Sequence, residues 1–229
     1  MGKFSRDKLA SKQAVIEKFQ DGQTILLGGF NRVGAPGTLF KYLHESAARD
    51  LTLVCNNCSN DPAGIWYPAS QVISEGRVRQ LKISFTRTNT ELISLYESRK
   101  LEVELIPQGT LAERIRAAAY GLGGFLTTVG YGTLLAEGKQ IIHANGKDYL
   151  LELPLHADLA LVKATKADLM GNAVCRATTK NFNTIMAPAA DFTILEADQI
   201  VPVGELPPEE IDIPGIFVDM VIQSEEVLK

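Results

Sequence analysis

The sequence predicts an α/β fold: an open, mostly parallel sheet flanked by helices, with a β-hairpin inserted in its second half. Three observations carry this. Short aliphatic runs alternate with segments of helical periodicity through the first half of the chain. The first aliphatic run ends in a double glycine, Gly28-Gly29, the layout of a ligand loop at the carboxyl end of a strand in an open α/β sheet. Further on, Asn145-Gly146 lies between two strand-like runs, a strong hairpin signal.

The elements follow in order. Ser5 is a candidate cap for a first helix, with Leu9, Val15, Ile16 and Phe19 along its apolar side. Residues 24–27 form a buried strand. Leu39, Phe40, Leu43 and Ala47 then recur at helical spacing. Runs 51–55, 81–85 and 103–106 read as further buried strands. A helix starting near Asn89 or Thr90 carries Leu92, Ile93, Leu95 and Tyr96, and another covers 111–119. The hairpin strands are 140–144 and 148–151. Apolar runs at 159–162, 192–195 and 216–222 continue the core. No Ser- or Pro-rich linker and no internal repeat interrupts this pattern, so residues 1–229 read as one domain. Trp66 and Tyr67 read as packing residues.

Composition narrows the function. Hydrophobic residues make up 45% and charged residues 22% of the chain, ordinary values for a globular protein with a sizeable core. The net charge is -4 and no basic cluster is interleaved with aromatics, which argues against nucleic acid. Cys55 and Cys58 have redox or zinc-half-site spacing, but His44, His143 and His156 are scattered and complete no ligand set. The thiols therefore read as ordinary and reduced, and no metal is expected. Few cysteines and no signal sequence point to the cytoplasm. Residues 117–136 carry no charge and are long enough to span a bilayer. Their glycines and threonines make them too weakly hydrophobic for that. The segment reads as a glycine-rich loop packed inside the protein, with no membrane association.

The chemistry concentrates in residues 21–36. An Asp21-Gly22 turn leads to three aliphatics, then Gly28-Gly29-Phe30, three further residues, and Gly34-Ala35-Pro36. A dinucleotide loop would need Gly-x-Gly-x-x-Gly and an acidic residue closing a second strand, and neither is present.

This string resembles the glycine loop of the class I CoA-transferases. Matching segments follow in one order over nearly the whole chain: Asn56-Asn57, Pro107-Gln108-Gly109-Thr110-Leu111, a second glycine loop from Gly121 to Thr133, Gly171-Asn172, Asn181-Phe182-Asn183, Gly204-Glu205-Leu206 and Pro214-Gly215. The resemblance is to the A (alpha) subunit of the short-chain 3-oxoacid (acetate or butyrate–acetoacetate) type. It implies the CoA-transferase family I fold and a ping-pong transfer of CoA from an acyl-CoA to a free carboxylate. A glutamate of a partner, the B (beta) subunit, would form the glutamyl-CoA thioester. The Ser-Glu-Asn-Gly type segment around that nucleophile is absent here. Ser224-Glu225-Glu226, the nearest match, reads as a solvated tail. No catalytic residue is therefore expected in this chain, and no permanently bound cofactor, with the CoA thioester as substrate. A heterodimer or heterotetramer with the B (beta) subunit is implied.

The resemblance further implies a CoA- or acyl-binding loop made of Gly28, Gly29, Phe30, Asn31, Arg32, Val33 and Gly34. Acyl-pocket candidates are Asn56, Arg87, Asn89 and Gln108. Asn56 and Asn57 could equally form a turn, and Gln108 could equally cap a helix. Asn181 and Asn183 read first as groups satisfying local backbone. Three departures stand out: Asn31-Arg32 in the loop, Arg87 where a glycine is usual, and Asp212-Ile213 before Pro214. The two arginines predict a substrate with an additional polar group. A non-catalytic sugar-phosphate or acyl-CoA binding module of related fold is the alternative. No helix-turn-helix segment accompanies it here. A sugar-phosphate isomerase would need an acid–base pair that the sequence does not offer.

Overall fold

The computed structural model describes residues 7–58, 68–86 and 90–225. Arg87 and Asn89 lie outside them, as do Trp66, Tyr67 and Glu226. The strands are β1 (Thr24–Leu27), β2 (Leu51–Asn57), β3 (Val78–Phe85), β4 (Glu102–Leu105), β5 (Phe125–Thr127), β6 (Ile141–Ala144), β7 (Lys147–Glu152), β8 (Ala157–Asp168), β9 (Ala173–Val174), β10 (Ala190–Val201) and β11 (Met220–Gln223). The helices are α1 (Lys12–Ile16), α2 (Gly37–Glu45), α3 (Pro68–Ser74), α4 (Thr90–Glu97), α5 (Gln108–Ala119) and α6 (Asn183–Met186).

The main sheet runs β11-β10-β8-β1-β2-β3-β4, and every neighbouring pair on that path is parallel. β9 adds antiparallel to β8. Chain order climbs from β1 toward β4 on one side and from β8 toward β11 on the other. The strand order thus reverses at β1, and open α/β sheets form their ligand crevice at such a switch point. β5, β7 and β6 make a separate antiparallel sheet, with β6 and β7 joined at Asn145-Gly146. The hairpin insertion therefore forms as expected.

Strand β1 is aliphatic because both of its faces are covered. Ile25 and Leu27 pack with Leu39, Phe40 and Leu43 of α2, together with Leu53, Leu161 and Ile194. Leu26 faces the other layer with Val54, Val162 and Leu195, under Leu111 and Ile115 of α5 and Met186 of α6. That second layer is rich in alanine, including Ala157, Ala160, Ala164, Ala187, Ala189 and Ala197. Small side chains let the short α6 segment approach the sheet closely.

Several expectations change. The first helix is the short α1, capped by the Ser11 side chain on the Ala14 N–H at 3.3 Å. Ser5 lies outside the described residues, and Leu9 instead bridges in parallel to Val221 at the edge of the sheet. Helix α3 and strands β5 and β9 are too short to show a clear period, and the sequence pattern does not announce them. Of residues 117–136, Ala117 is buried at the end of α5, but the rest is not packed inside: Leu122, Leu126, Val129 and Tyr131 are exposed, and Leu134 is 83% exposed. Glycine turns and the three-residue strand β5 keep that segment at the surface. Among the described residues no helix is long and apolar enough to cross a membrane.

Candidate functional site

The loop of residues 28–34 leaves β1 at the switch point. Gly28 continues the sheet by one bond, its N–H donating to Leu161 O of β8 at 2.9 Å. Gly29 and Gly34 have φ of 105° and 69°, conformations that a side chain would strain. Phe30 and Val33 pair across a tight reversal, with N–H to O distances of 3.0 and 3.1 Å. Asn31 occupies its first corner with φ 53°, a region that asparagine tolerates better than most residues. Arg32 sits half-buried at the second corner.

Not all of the loop's N–H groups are bare, contrary to what a paired-glycine loop suggests. Those of Gly28, Phe30, Asn31 and Val33 have protein acceptors. Among the described residues, the N–H groups of Gly29 and Gly34 meet none.

Two sets of amides hold the loop. In front, Gln108 Nε2 donates to Asn56 Oδ1 at 3.0 Å, Asn56 Nδ2 to Asn57 Oδ1 at 2.8 Å, and Asn57 Nδ2 to Asn31 Oδ1 at 2.8 Å. Asn57 Oδ1 also accepts the Asn31 backbone N–H at 2.9 Å. All three links run in the same direction, so each amide polarises the next. The row joins the start of α5, the end of β2 and the β1 loop. It brings together Asn31, Asn56 and Gln108, and Gln108 acts through this row and not as a cap, for Pro107 holds the cap position of α5.

Behind the loop stand Asn181 and Asn183. Asn183 is fully buried; its Oδ1 accepts from the Lys163 N–H at 3.0 Å, and its Nδ2 donates to Gly34 O and Thr179 O, both at 2.9 Å. Asn181 Nδ2 donates to Val33 O at 3.0 Å and Thr178 O at 2.6 Å. These asparagines do satisfy local backbone, at Thr178, Thr179 and Phe182, and in addition hold a distant loop at sequence separations of 148 and 149 residues.

The open front of the loop adjoins a crevice of about 10 Å³, room for roughly one water, lined by Gly28, Gly29, Asn31, Asn57, Cys55 and Cys58. Phe30, Val33, Thr178 and Asn181 line a separate open apolar hollow of about 500 Å³. Cys55 and Cys58 are buried with their Sγ atoms 3.0 Å apart. The hydrogen bond with Cys58, then burial, pushes the Cys55 thiol well up. Burial, aided by Asp212, pushes Cys175 up to about 12. Both groups stay thiols at neutral pH and are poor nucleophiles.

A buried pair under the loop escapes sequence reasoning. Lys163 of β8 and Glu196 of β10 are register partners, with Nζ to Oε1 at 2.8 Å. Glu196 Oε2 accepts the N–H groups of Thr38 and Leu39 at 2.9 and 3.1 Å, and Oε1 accepts from Thr38 Oγ1 at 3.1 Å and Ser224 Oγ at 2.6 Å. Helix α2 starts at Pro36, which has no capping side chain. A carboxylate from two strands away takes that role. A Lys and a Glu each set in the middle of an aliphatic strand run are the available signal, because such charges require partners. Of the C-terminal acids, Glu226 lies outside the described residues and Glu225 is exposed, as expected, yet hydrogen-bonded. Ser224 joins this cluster, and Glu225 accepts hydrogen bonds from Tyr42 and Lys41, so these residues anchor the chain end to α2.

The family model described as coenzyme A transferase matches residues 8–224. The chain is 46% identical over 211 residues to the A subunit of 3-oxoadipate CoA-transferase of Pseudomonas putida, covering 91% of this chain and 90% of that protein. It is 44% identical over 221 residues to the alpha subunit of acetate CoA-transferase of Escherichia coli (strain K12), covering 96% and 99%. Glutaconate coenzyme A-transferase from Acidaminococcus fermentans superposes with a TM-score of 0.83 at 21% identity, over 94% of this chain and 75% of that one, a likeness of fold.

Proposed function

The chain belongs to the coenzyme A transferase family, and from that premise we propose that it is the alpha subunit of a heteromeric enzyme that moves CoA between a short-chain 3-oxoacyl-CoA and a free carboxylate. The relatives named as A or alpha subunits support the partner, a beta subunit that carries the nucleophilic glutamate. The family match over 8–224 supports reading residues 1–229 as one subunit domain. The non-catalytic binding module is not favoured, since the relatives are named as transferase subunits.

In the proposed cycle, the partner's glutamate carboxylate attacks the thioester carbonyl and releases CoA thiolate, leaving a mixed anhydride. The thiolate then attacks the glutamyl carbonyl of the anhydride, which frees the first carboxylate and forms glutamyl-CoA. A second carboxylate reverses both steps. Each attack passes through an oxyanion that needs preorganised donors. The observation that carries this chain's role is the backbone loop of residues 28–34, held between two sets of amides at the switch point. Gly28, Gly29, Phe30, Asn31, Arg32, Val33 and Gly34 would face the thioester, with Asn56 and Gln108 bordering the acyl group. The CoA thioester is a substrate, and no permanently held cofactor is proposed. The cytoplasm is the proposed compartment, on the low cysteine content.

The test is reconstitution. The purified chain alone is expected to transfer no CoA, and activity is expected to appear on adding a matching beta subunit. Robust transfer by the single chain would overturn the subunit assignment. Arg87 and Arg32 add a finer expectation. One relative is named for 3-oxoadipate, a dicarboxylic acid, and another for acetate. Arg87→Ala in the complex should lower kcat/KM for a dicarboxylic acceptor by about 10-fold or more relative to a monocarboxylic one, the size of a lost charge-assisted contact. An unchanged acceptor ratio would remove Arg87 from the pocket.

A further inference from the structure

We propose that Asn181, backed by Asn183, is a positioning residue for the transfer step, holding the Gly34 peptide so that its N–H is presented as an oxyanion donor. This role rests on the reading of residues 28–34 as the substrate loop.

The geometry is specific. Asn181 Nδ2 holds Val33 O at 3.0 Å, and Asn183 Nδ2 holds Gly34 O at 2.9 Å. Both carbonyls are therefore turned toward the segment that precedes and opens α6. In a planar trans peptide the N–H points opposite to the C=O. Fixing Val33 O on Asn181 thus directs the Gly34 N–H away from the asparagines. Among the described residues that N–H meets no acceptor, whereas the next one along, Ala35 N–H, donates to Arg32 O at 3.3 Å.

The same clamp explains why position 34 is glycine. With φ at 69°, a Cβ there would lie 2.8 Å from Asn183 Nδ2 and 3.2 Å from Asn181 Nδ2. The clamp can approach the peptide only where no side chain intervenes. Phe182, buried between the two asparagines in sequence, anchors the clamp to the alanine-rich face of the sheet. An oxyanion donor has value only if it is aimed before the charge develops. Carbonyls held at the back achieve this without touching substrate.

The experiment uses the reconstituted complex with the beta subunit, an acyl-CoA donor and a carboxylate acceptor. Asn181 is half-buried, so Asn181→Ala and Asn181→Asp should fold. The Asp variant keeps the size but removes the N–H that holds Val33 O. Both are expected to lower kcat by about 10- to 100-fold, approaching the effect of deleting an oxyanion donor. KM for the acyl-CoA should change by less than about 3-fold, since the donor acts on the transition state and not on bound substrate. Asn181→Gln, which restores a side-chain N–H, should recover part of the loss. Higher KM with kcat retained would overturn the inference, because it would mean uniform substrate binding. So would an Asp variant with wild-type kcat. A wild-type complex that transfers no CoA would instead defeat the functional reading, and this inference with it. An active wild type with an unaffected Asp variant defeats the inference alone.

Discussion

Replacing Gly28 by alanine is expected to remove most activity and much of the stability at once. A Cβ at that position would sit 2.0 Å from Asn183 Oδ1 and 3.0 Å from Leu161 O. No real contact is that short, so Asn183 must leave. It would then release the Lys163 N–H, Gly34 O and Thr179 O, which it binds from a fully buried position. Overpacking of this kind costs about 1–3 kcal/mol, and a buried polar group left unpaired adds a similar amount. Together, at about 2–4 °C per kcal/mol for a chain of this size, these correspond to a Tm lower by roughly 4–24 °C. The loop would also lose its rear support, and a shift of about 1 Å at a reacting centre can cost about 100-fold in rate. Gly109→Ala is the matched control. It lies in α5 with nothing within 4 Å of its would-be Cβ, and alanine is the better helix former. Thermal melts and kcat/KM of both variants in the complex check this. A Gly28→Ala protein with wild-type melting and turnover would disprove the packing of Asn183 against the loop.

The second large effect is expected at Glu196. Its carboxylate is 0% exposed and accepts from Thr38, Leu39, Lys163 and Ser224. Glu196→Ala would leave the Lys163 ammonium with Asp198 Oδ1, at 2.6 Å, in place of two carboxylates, and would strip the first N–H groups of α2 of their acceptor. Breaking one partner from a buried pair costs about 3–5 kcal/mol. In a domain of this length Tm should fall by roughly 6–20 °C. The double variant Lys163→Met, Glu196→Gln should be less damaged, because it removes the buried pair and keeps an oxygen for the α2 N–H groups, leaving only the part-exposed Asp198 without its lysine. Urea unfolding of the single and double variants measures the coupling. Equal losses in Glu196→Ala and the double variant would refute the pairing.

These two sites differ in how far the sequence announces them. Gly28 stands out by itself, since an aliphatic run that stops at paired glycines has a local cause. Glu196 does not: it lies in Thr193-Ile194-Leu195-Glu196-Ala197, which reads as a strand with a charge in it. Its role depends on β10 lying beside β8, with Lys163 opposite, and on α2 beginning above them. The front row of amides is intermediate. Asn31, Asn56 and Gln108 are each visible as polar residues after strands, but Asn57, the link between them, is visible only as a neighbour of Asn56. The misreadings are local ambiguities of other kinds. Residues 117–136 lack charge, which looks like burial, yet their glycines form surface turns beside a three-residue strand. Glu225 is solvated as it looks, but the sequence does not show that Ser224 binds Glu196 or that Glu225 accepts from Tyr42.

The sequence by itself determined the α/β alternation, the hairpin and the ligand loop, because period, turn residues and glycine placement act within a few positions along the chain. Only the tertiary structure decided how that loop is held. Its supports come from Asn57, 26 residues away, and from Asn183, 149 residues away. A polar side chain carries donors and acceptors but no address. Which partner it meets follows from strand order and register, and these are set by the packing of the whole sheet.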